Sequence, residues 1–301
     1  VSAIALTRRR GRRHSIRRPR TGFLLVLPAL LVALGLFVVP LLLAARMSVS
    51  DWPLLGEPSF TGLENYRGIA DNDLVGQALG FTAKYAAVIL VVLLAVALGL
   101  AMLVRRPRRG VGLLRTAFFL PAAVGLTSAA LLFYELYFAG LSPVDDALTG
   151  LGFIDEPIDW LGQPGTAFLS VVIMMTWRFA GFYMLILLAG LQSIPDDVYE
   201  AARLDGANRW QTLRHVTLPL LRPSLALCTI LIITGALLAF EQFYVLTNGG
   251  PDNATVTLVI VIVREAFSFL DLGSAAAISM VVLAGLIVLN LVQLLALRRE
   301  R

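Results

Sequence analysis

Long apolar runs separated by short polar connections dominate the chain. Crossing ~30 Å of hydrocarbon takes ~20 predominantly apolar residues. Six stretches meet that length: Phe23 to Ala45, Tyr85 to Val104, Ala117 to Ala139, Ala167 to Leu191, Ser224 to Leu246 and Ala275 to Leu297. A seventh, Thr257 to Leu270, is shorter and is interrupted by Arg264-Glu265, which predicts an interfacial or re-entrant helix rather than a crossing. The expected fold is an all-α integral membrane protein with six transmembrane helices. A basic tail covers residues 1–22, and spans with their connections fill 23–301, leaving no room for a separate soluble domain. Pro28, Pro40 and Pro121 fall inside spans and are expected to kink them.

The fourth connection, residues 193–223, breaks the apolar pattern with a compact charged island. Ser193 with Asp196 reads as a capping box, with Pro195 in the first turn and Asp196, Asp197 and Glu200 at the positive end of the helix. Gly206 suits a left-handed stop. Asn208 with Gln211 repeats the cap for a second short helix, which Pro219 and Pro223 are expected to close. Such a loop presents its tip at Gly206 to water, either as a plain solvated connector or as a docking element.

Composition agrees with the membrane setting. Charged residues are 15% and hydrophobic ones 58%, against about 25% charged in soluble domains, and the mean hydropathy is +0.80. Arginines fix the expected orientation. They crowd the N-terminal tail (Arg8 to Arg20), the second connection (Arg105, Arg106, Arg108, Arg109, Arg115) and the C-terminus (Arg298, Arg299, Arg301). The alternate connections carry Asp51, Glu57, Asp71, Asp145, Asp155, Asp159, Asp252 and Asp271. Positive residues stay inside, so both termini and the charged island are expected in the cytoplasm. The basic N-terminus before an apolar run also resembles a secretory signal, but that run exceeds the ~7–15 residues of a signal core and reads as a retained anchor.

Several chemistries are excluded. Cys228 is the only cysteine and His14 and His215 the only histidines, so neither a disulfide framework, a zinc site nor a Ser/His/Asp triad is available. The only lysine, Lys84, lies between Ala83 and Tyr85, outside any Gly-Lys-Ser/Thr phosphate loop. No cofactor, metal or nucleic acid is expected on this chain, and it is not expected to be an enzyme.

The string Glu200-Ala201-Ala202-Arg203-Leu204-Asp205-Gly206-Ala207, continuing to Leu218-Pro219, resembles the cytoplasmic EAA loop of the membrane subunits of bacterial binding-protein-dependent ABC importers. Further landmarks are similar, in order, to sugar-importer permeases of the maltose and glycerol-3-phosphate type. They are Gly62-Leu63-Glu64-Asn65-Tyr66, Arg115-Thr116 with Leu120-Pro121, Asp159-Trp160-Leu161, Leu191-Gln192-Ser193-Ile194-Pro195, Leu246-Thr247-Asn248-Gly249-Gly250-Pro251 and Asp271-Leu272-Gly273. The resemblance runs from about Phe23 to the C-terminus and implies a type I ABC importer permease fold in the bacterial inner membrane. It implies as partners a second homologous permease subunit, a cytoplasmic ATPase dimer that holds ATP and Mg, and an extracytoplasmic solute-binding protein. Glu200, Arg203 and Asp205 would then make polar contacts with the ATPase, Ala201, Ala202 and Ala207 would allow close approach, and Gly206 would form the turn.

Ionisable residues inside a span cost ~2.5–3.5 kcal/mol on insertion scales and are functional or paired. Arg178 lies in the fourth span among Trp177, Phe179, Phe182 and Tyr183; Glu241 and Gln242 lie in the fifth, Glu135 in the third, and Asn290 and Gln293 in the sixth. Aromatic rings beside polar groups suit a sugar; a structural pair between Arg178 and a carboxylate is the competing reading. The family pattern points to Arg178, Phe179, Phe182, Gly235, Ala236, Ala239 and Gln242 along the translocation path. Gly235, Ala236 and Ala239 are small and apolar where amides would suit a disaccharide, and Arg178 leaves an anionic solute such as a glycerol phosphate open. A self-sufficient secondary transporter or channel would also show six spans; such carriers reveal internal repeats, and none is evident between the halves.

Overall fold

The computed structural model describes residues 19–106, 108–138 and 142–298. The arginines up to Arg18, with Arg299 and Arg301, lie outside the described residues. Two compact units emerge, the first ending at Arg46 and the second running from Met47.

In the first unit, α1 (Pro19–Ala33) passes through a π-helical turn at Leu34–Val38 into α2 (Val39–Met47). Pro40 lies two residues past the end of that turn. A proline has no N–H to close the α-helical ladder, and the chain answers with a wider turn in which the Val39 N–H donates to the Leu34 carbonyl.

The second unit opens with a short antiparallel hairpin, β1 (Ser50–Asp51) and β2 (Ser59–Phe60), then α3 (Glu64–Asp71). Asn65 and Tyr66 pin the hairpin: the Asn65 amide donates to the Ser48 and Ser50 carbonyls at 3.1 and 3.0 Å, and the Tyr66 hydroxyl to Ser48 Oγ at 2.8 Å. Helix α4 (Asp73–Leu103) buries Ala78, Thr82, Tyr85, Ile89, Leu93, Ala97 and Ala101, a stripe at helical spacing. That stripe packs on α8 (Pro164–Gln192), the most buried of the four long apolar helices. Between them lie α5 (Val111–Phe119), a 3-10 turn at Leu120–Ala123 holding Pro121, α6 (Leu126–Leu136) and α7 (Pro143–Gly150). After α8 come α9 (Asp196–Leu204), α10 (Arg209–Thr212), α11 (Leu218–Leu220), α12 (Arg222–Leu237), α13 (Glu241–Leu246), α14 (Leu258–Val263) and α15 (Leu272–Arg298).

Four helices are long and apolar enough to cross a membrane, and six spans result if each of two bent pairs counts once. The third apolar run is not a single rod: its two parts meet at 95°, because Val124 and Gly125 are both extended (ψ 133° and 145°). The fifth run also differs from expectation. Its helix stops at Leu237, Phe240 leaves the helical region (φ −137°, ψ −72°), and Glu241 begins a separate helix. Each break frees carbonyls that lipid cannot satisfy. The Arg178 Nε donates to Val124 O at 3.0 Å and the Thr257 hydroxyl to Ala239 O at 2.7 Å. The short apolar segment after Thr257 is α14 followed by a π-helical turn at Arg264–Ser268; Ile260 and Val261 are fully buried against neighbouring elements that include α4 and α15.

Glycines set two close helix approaches. A Cβ on Gly181 would stand 1.8 Å from the Phe118 carbonyl oxygen, and one on Gly273 2.6 Å from Ser50 O. Beyond Gly273, Ala275, Ala276 and Ala277 are buried, as small-residue packing requires.

Candidate functional site

Two places combine polar chemistry with geometry that could serve transport: a cavity among the broken helices and the polar connection at α9–α10.

The cavity has a volume of about 310 Å³ and is lined from α4 by Tyr85, Ile89 and Leu93, and from α8 by Met175, Phe179 and Tyr183. Leu126, Ile232, Gly235, Ala236, Leu238, Phe240, Glu241 and Gln242 complete it. The size falls at the lower end of ligand pockets, whose walls are mostly apolar with few polar groups. The helix break is what delivers the polar groups. By ending α12 at Leu237 and restarting at Glu241, the chain turns Glu241 and Gln242 onto the cavity wall. Glu241 Oε2 accepts from the Thr127 hydroxyl of α6 at 2.7 Å. Gln242 is buried at 2% exposure, its amide facing the Tyr85 hydroxyl. Behind it Phe81, Tyr85, Phe168 and Phe243 meet edge to face at 4.9–6.4 Å between centroids, a rigid aromatic support.

Among the expected path residues, Phe179, Gly235, Ala236, Glu241 and Gln242 line this cavity, while Arg178, Phe182 and Ala239 do not. Arg178 is half-buried beside it. Its hydrogen-bond partner is the Val124 carbonyl, the Glu241 carboxylate acts on its charge without a direct ion pair, and its guanidinium carbon lies 4.4 Å from the Phe179 ring centroid. Ala239 is buried at the helix break, and Phe182 is exposed against Tyr183 at 5.3 Å. Glu135 is exposed on α6. The Asn290 Oδ1 accepts from the Thr234 hydroxyl at 3.5 Å, joining α15 to α12 away from the lining. Tyr183, one of the rings around Arg178 in the sequence, does line the cavity, whereas Tyr85 and Phe240 carry no such mark; nothing in the sequence shows that three distant segments converge.

The polar connection is built by local signals. Asp205 ends α9 and Gly206 adopts φ +78°, with Gly206 N–H donating to Arg203 O and Ala207 N–H to Ala202 O at 3.0 Å, the latter closing the six-to-one bond of a Schellman end. Asn208 and Gln211 form the reciprocal cap, at 2.8 and 2.9 Å. The first expected cap is corrected: Pro195 occupies the N-cap of α9, and the Ser193 hydroxyl donates back to Gly190 O at 2.7 Å. The second short helix passes through a π-helical turn at Leu213–Thr217 and closes at Leu220, between Pro219 and Pro223 as expected, and the chain bends by 71° at Leu221. Glu200, Ala201, Arg203, Asp205 and Gly206 are exposed, and Ala202 and Ala207 half-buried. Two large apolar residues share the tip, Leu204 at 89% and Trp210 at 66% exposure. Their signal was present in the sequence as apolar residues flanking a polar turn.

At the opposite end, the Thr-Asn-Gly-Gly-Pro turn is clamped by Arg264, whose Nη2 donates to Asn248 O at 2.8 Å and Nη1 to Asn253 Oδ1 at 2.7 Å. The Asp-Trp-Leu segment places Trp160 Nε1 against the buried Asp145 carboxylate at 2.7 Å.

The family of binding-protein-dependent transport system inner membrane components matches residues 2–301. The chain belongs to this family. As a membrane component of a transport system, the permease is not an enzyme. It is 30% identical to the probable starch degradation products transport system permease protein AmyD of Thermoanaerobacterium thermosulfurigenes, over 92% of this chain and 94% of that one. It is 33% identical to the trehalose/maltose transport system permease protein MalF of Thermococcus litoralis, over 85% of each chain. With the lactose transport system permease protein LacF of Rhizobium radiobacter it shares 32% identity over 93% of this chain and 95% of the other. The permease also superposes on a bacterial ABC transporter involved in import of the acidic polysaccharide alginate, with a TM-score of 0.80 over 95% of this chain and 96% of that one at 21% identity, a likeness of fold.

Proposed function

We propose that the permease carries an uncharged carbohydrate, a sugar or short oligosaccharide, delivered by an extracytoplasmic binding protein. It pairs with a second homologous permease subunit and is driven by a cytoplasmic ATPase dimer that holds ATP and Mg; this chain holds no cofactor. The observation that carries the reading is the cavity wall. Aromatic faces at Tyr85, Phe179, Tyr183 and Phe240 stand beside the carboxylate of Glu241 and the amide of Gln242, a set matched to a ring with an apolar face and a rim of hydroxyls. Curated relatives named for starch products, trehalose/maltose and lactose support the same class. An anionic cargo such as a glycerol phosphate has less support: the cavity's charged lining residue is Glu241, and Arg178 spends its Nε on Val124 O outside the lining.

The family's dependence on a binding protein favours this scheme over a self-sufficient carrier. The positive-inside pattern puts both termini and the α9–α10 connection in the cytoplasm. There Glu200, Ala201, Ala202, Arg203, Asp205, Gly206 and Ala207 form the coupling element, with exposed Leu204 and Trp210 beside them.

The test is uptake by proteoliposomes carrying the permease with its co-encoded subunits, using trehalose, lactose, maltotriose and glycerol 3-phosphate. Uptake of one or more of the neutral sugars, lost in Glu241→Ala and Gln242→Ala at unchanged membrane level, is the expected result. Uptake of glycerol 3-phosphate alone would overturn it.

A further inference from the structure

Helix α9 meets the rest of the chain at one buried ring. Tyr199, at 7% exposure, is the only buried residue of α9. Arg105, just past the end of α4, lays its guanidinium carbon 3.9 Å from the Tyr199 ring centroid. The Tyr199 hydroxyl accepts from the buried Thr217 hydroxyl at 3.4 Å, in the π-helical turn that leads through Leu221 into α12. The Tyr199 carbonyl accepts from Arg203 Nε at 3.3 Å, so the coupling face is tied to the same residue. On the far side, Arg115 Nη2 donates to Val104 O at 2.7 Å and holds the end of α4 that carries Arg105.

The turn after α4 and the π-helical turn that precedes α12 therefore meet α9 at one side chain, and the helices they lead to, α4 and α12, form walls of the cavity through Tyr85, Ile89, Gly235 and Ala236. We propose that Arg105 and Tyr199 are the joint through which displacement of α9 reaches α4 and α12: positioning residues that touch neither solute nor ATPase. This rests on the reading of the α9–α10 connection as the ATPase-coupling element. Arg105 Nη2 also lies 3.9 Å from Asp196 Oδ1, but the Asp196 side chain is 91% exposed, and an ion pair so open to water contributes little. The stacked, partly buried guanidinium carries the link.

The experiment uses the complete complex, with its co-encoded partners, in proteoliposomes. A thiol is placed in the cavity as Gly235→Cys in a Cys228→Ala background, and N-ethylmaleimide labelling is compared with and without ATP, Mg and vanadate. No solute need be known. In the otherwise unaltered reporter complex, nucleotide trapping changes the labelling rate. In Arg105→Ala and Tyr199→Leu that change is expected to shrink about fivefold, the scale of one stacked cation, while the ATPase still co-purifies and hydrolyses ATP at its basal rate. Arg105→Lys should restore most of the response, and Asp196→Asn should leave it intact, neither of which a general loss of packing would do. A full response in Arg105→Ala overturns the joint, as does loss of the ATPase from both variants. Gly206→Leu separates the two ideas: if it abolishes the response while Arg105→Ala does not, the joint alone fails; if Gly206→Leu responds normally, the coupling reading itself falls.

Discussion

Gly181→Ala adds one methyl group at the tightest interhelical approach on α8. Its Cβ would stand 1.8 Å from the Phe118 carbonyl oxygen, 2.4 Å from the carbonyl carbon and 2.9 Å from Phe119 Cα. All three are backbone atoms, so no side chain can rotate aside. Restoring a contact of 3.4 Å requires α5 and α8 to separate by roughly 1.6 Å at this level, enough to forfeit much of the dispersion energy along their interface. Overpacking of this kind costs ~1–3 kcal/mol, and a backbone-to-backbone clash belongs at the upper end. Alanine recovers ~1 kcal/mol of helix propensity over glycine, leaving a net loss of about 2 kcal/mol. Scaled to a chain of 301 residues, that lowers Tm by about 3 °C. Gly235→Ala is the matched control. Nothing lies within 4 Å of its Cβ, so it should melt at or slightly above the parent while its methyl group enters the cavity and reduces uptake. Thermal unfolding of the detergent-purified permease, followed by intrinsic fluorescence and checked by size exclusion, measures both. A Gly181→Ala protein as stable as the parent would refute the packing argument.

Arg178→Leu should leave the Val124 carbonyl without its donor and destabilise by ~1–3 kcal/mol; the expected readout is a lower Tm and reduced uptake of every cargo rather than of anions alone. Gly206→Leu should abolish uptake at unchanged membrane abundance, since no span is altered, and transport equal to the parent would remove Gly206 from the coupling element. A cysteine introduced as Leu204→Cys in a Cys228→Ala background should react with a membrane-impermeant maleimide only in inside-out vesicles; reaction in right-side-out cells would reverse the proposed orientation. Burial first, and then the neighbouring Asp271 carboxylate, raise the Glu265 carboxyl above its ordinary range. The folded chain thus holds that proton more tightly than the unfolded one, so its contribution to stability is complete in acid and is lost as pH rises through the raised value. Glu265→Gln should flatten that part of a Tm-against-pH profile.

Apolar run length is a one-dimensional signal, and the number and approximate placement of the spans could be found in it. Caps are local as well, which is why Asn208, Gln211 and the left-handed Gly206 were legible before any tertiary contact was known. Of the two helix breaks, Pro121 announced a kink in the third run though not its 95° angle, and the break in the fifth run was not legible. Nothing between Leu237 and Glu241 is a proline or a glycine, and the interruption is sustained by Thr257, eighteen residues from the carbonyl it satisfies. Pro219 and Pro223 did bracket the end of the second short helix, which closes at Leu220. The cavity was half legible. Glu241 and Gln242 stood out as polar groups in an apolar run, but Tyr85 and Tyr183 reach the same wall from helices whose register only packing decides. Arg178 was conspicuous by charge, while its attachment to Val124 depends on a 95° bend of which the sequence announces only a kink at Pro121.

The exposed pair Leu204 and Trp210 has a consequence for the life of the protein in the cell. On the proposed orientation these greasy side chains stand in water, where they invite promiscuous adhesion, so a copy synthesised ahead of the proposed partners would expose a surface that chaperones and quality-control proteases recognise. Balanced synthesis of the subunits then becomes a condition of survival for this chain, and its steady-state abundance should track that of whatever protein shields the tip.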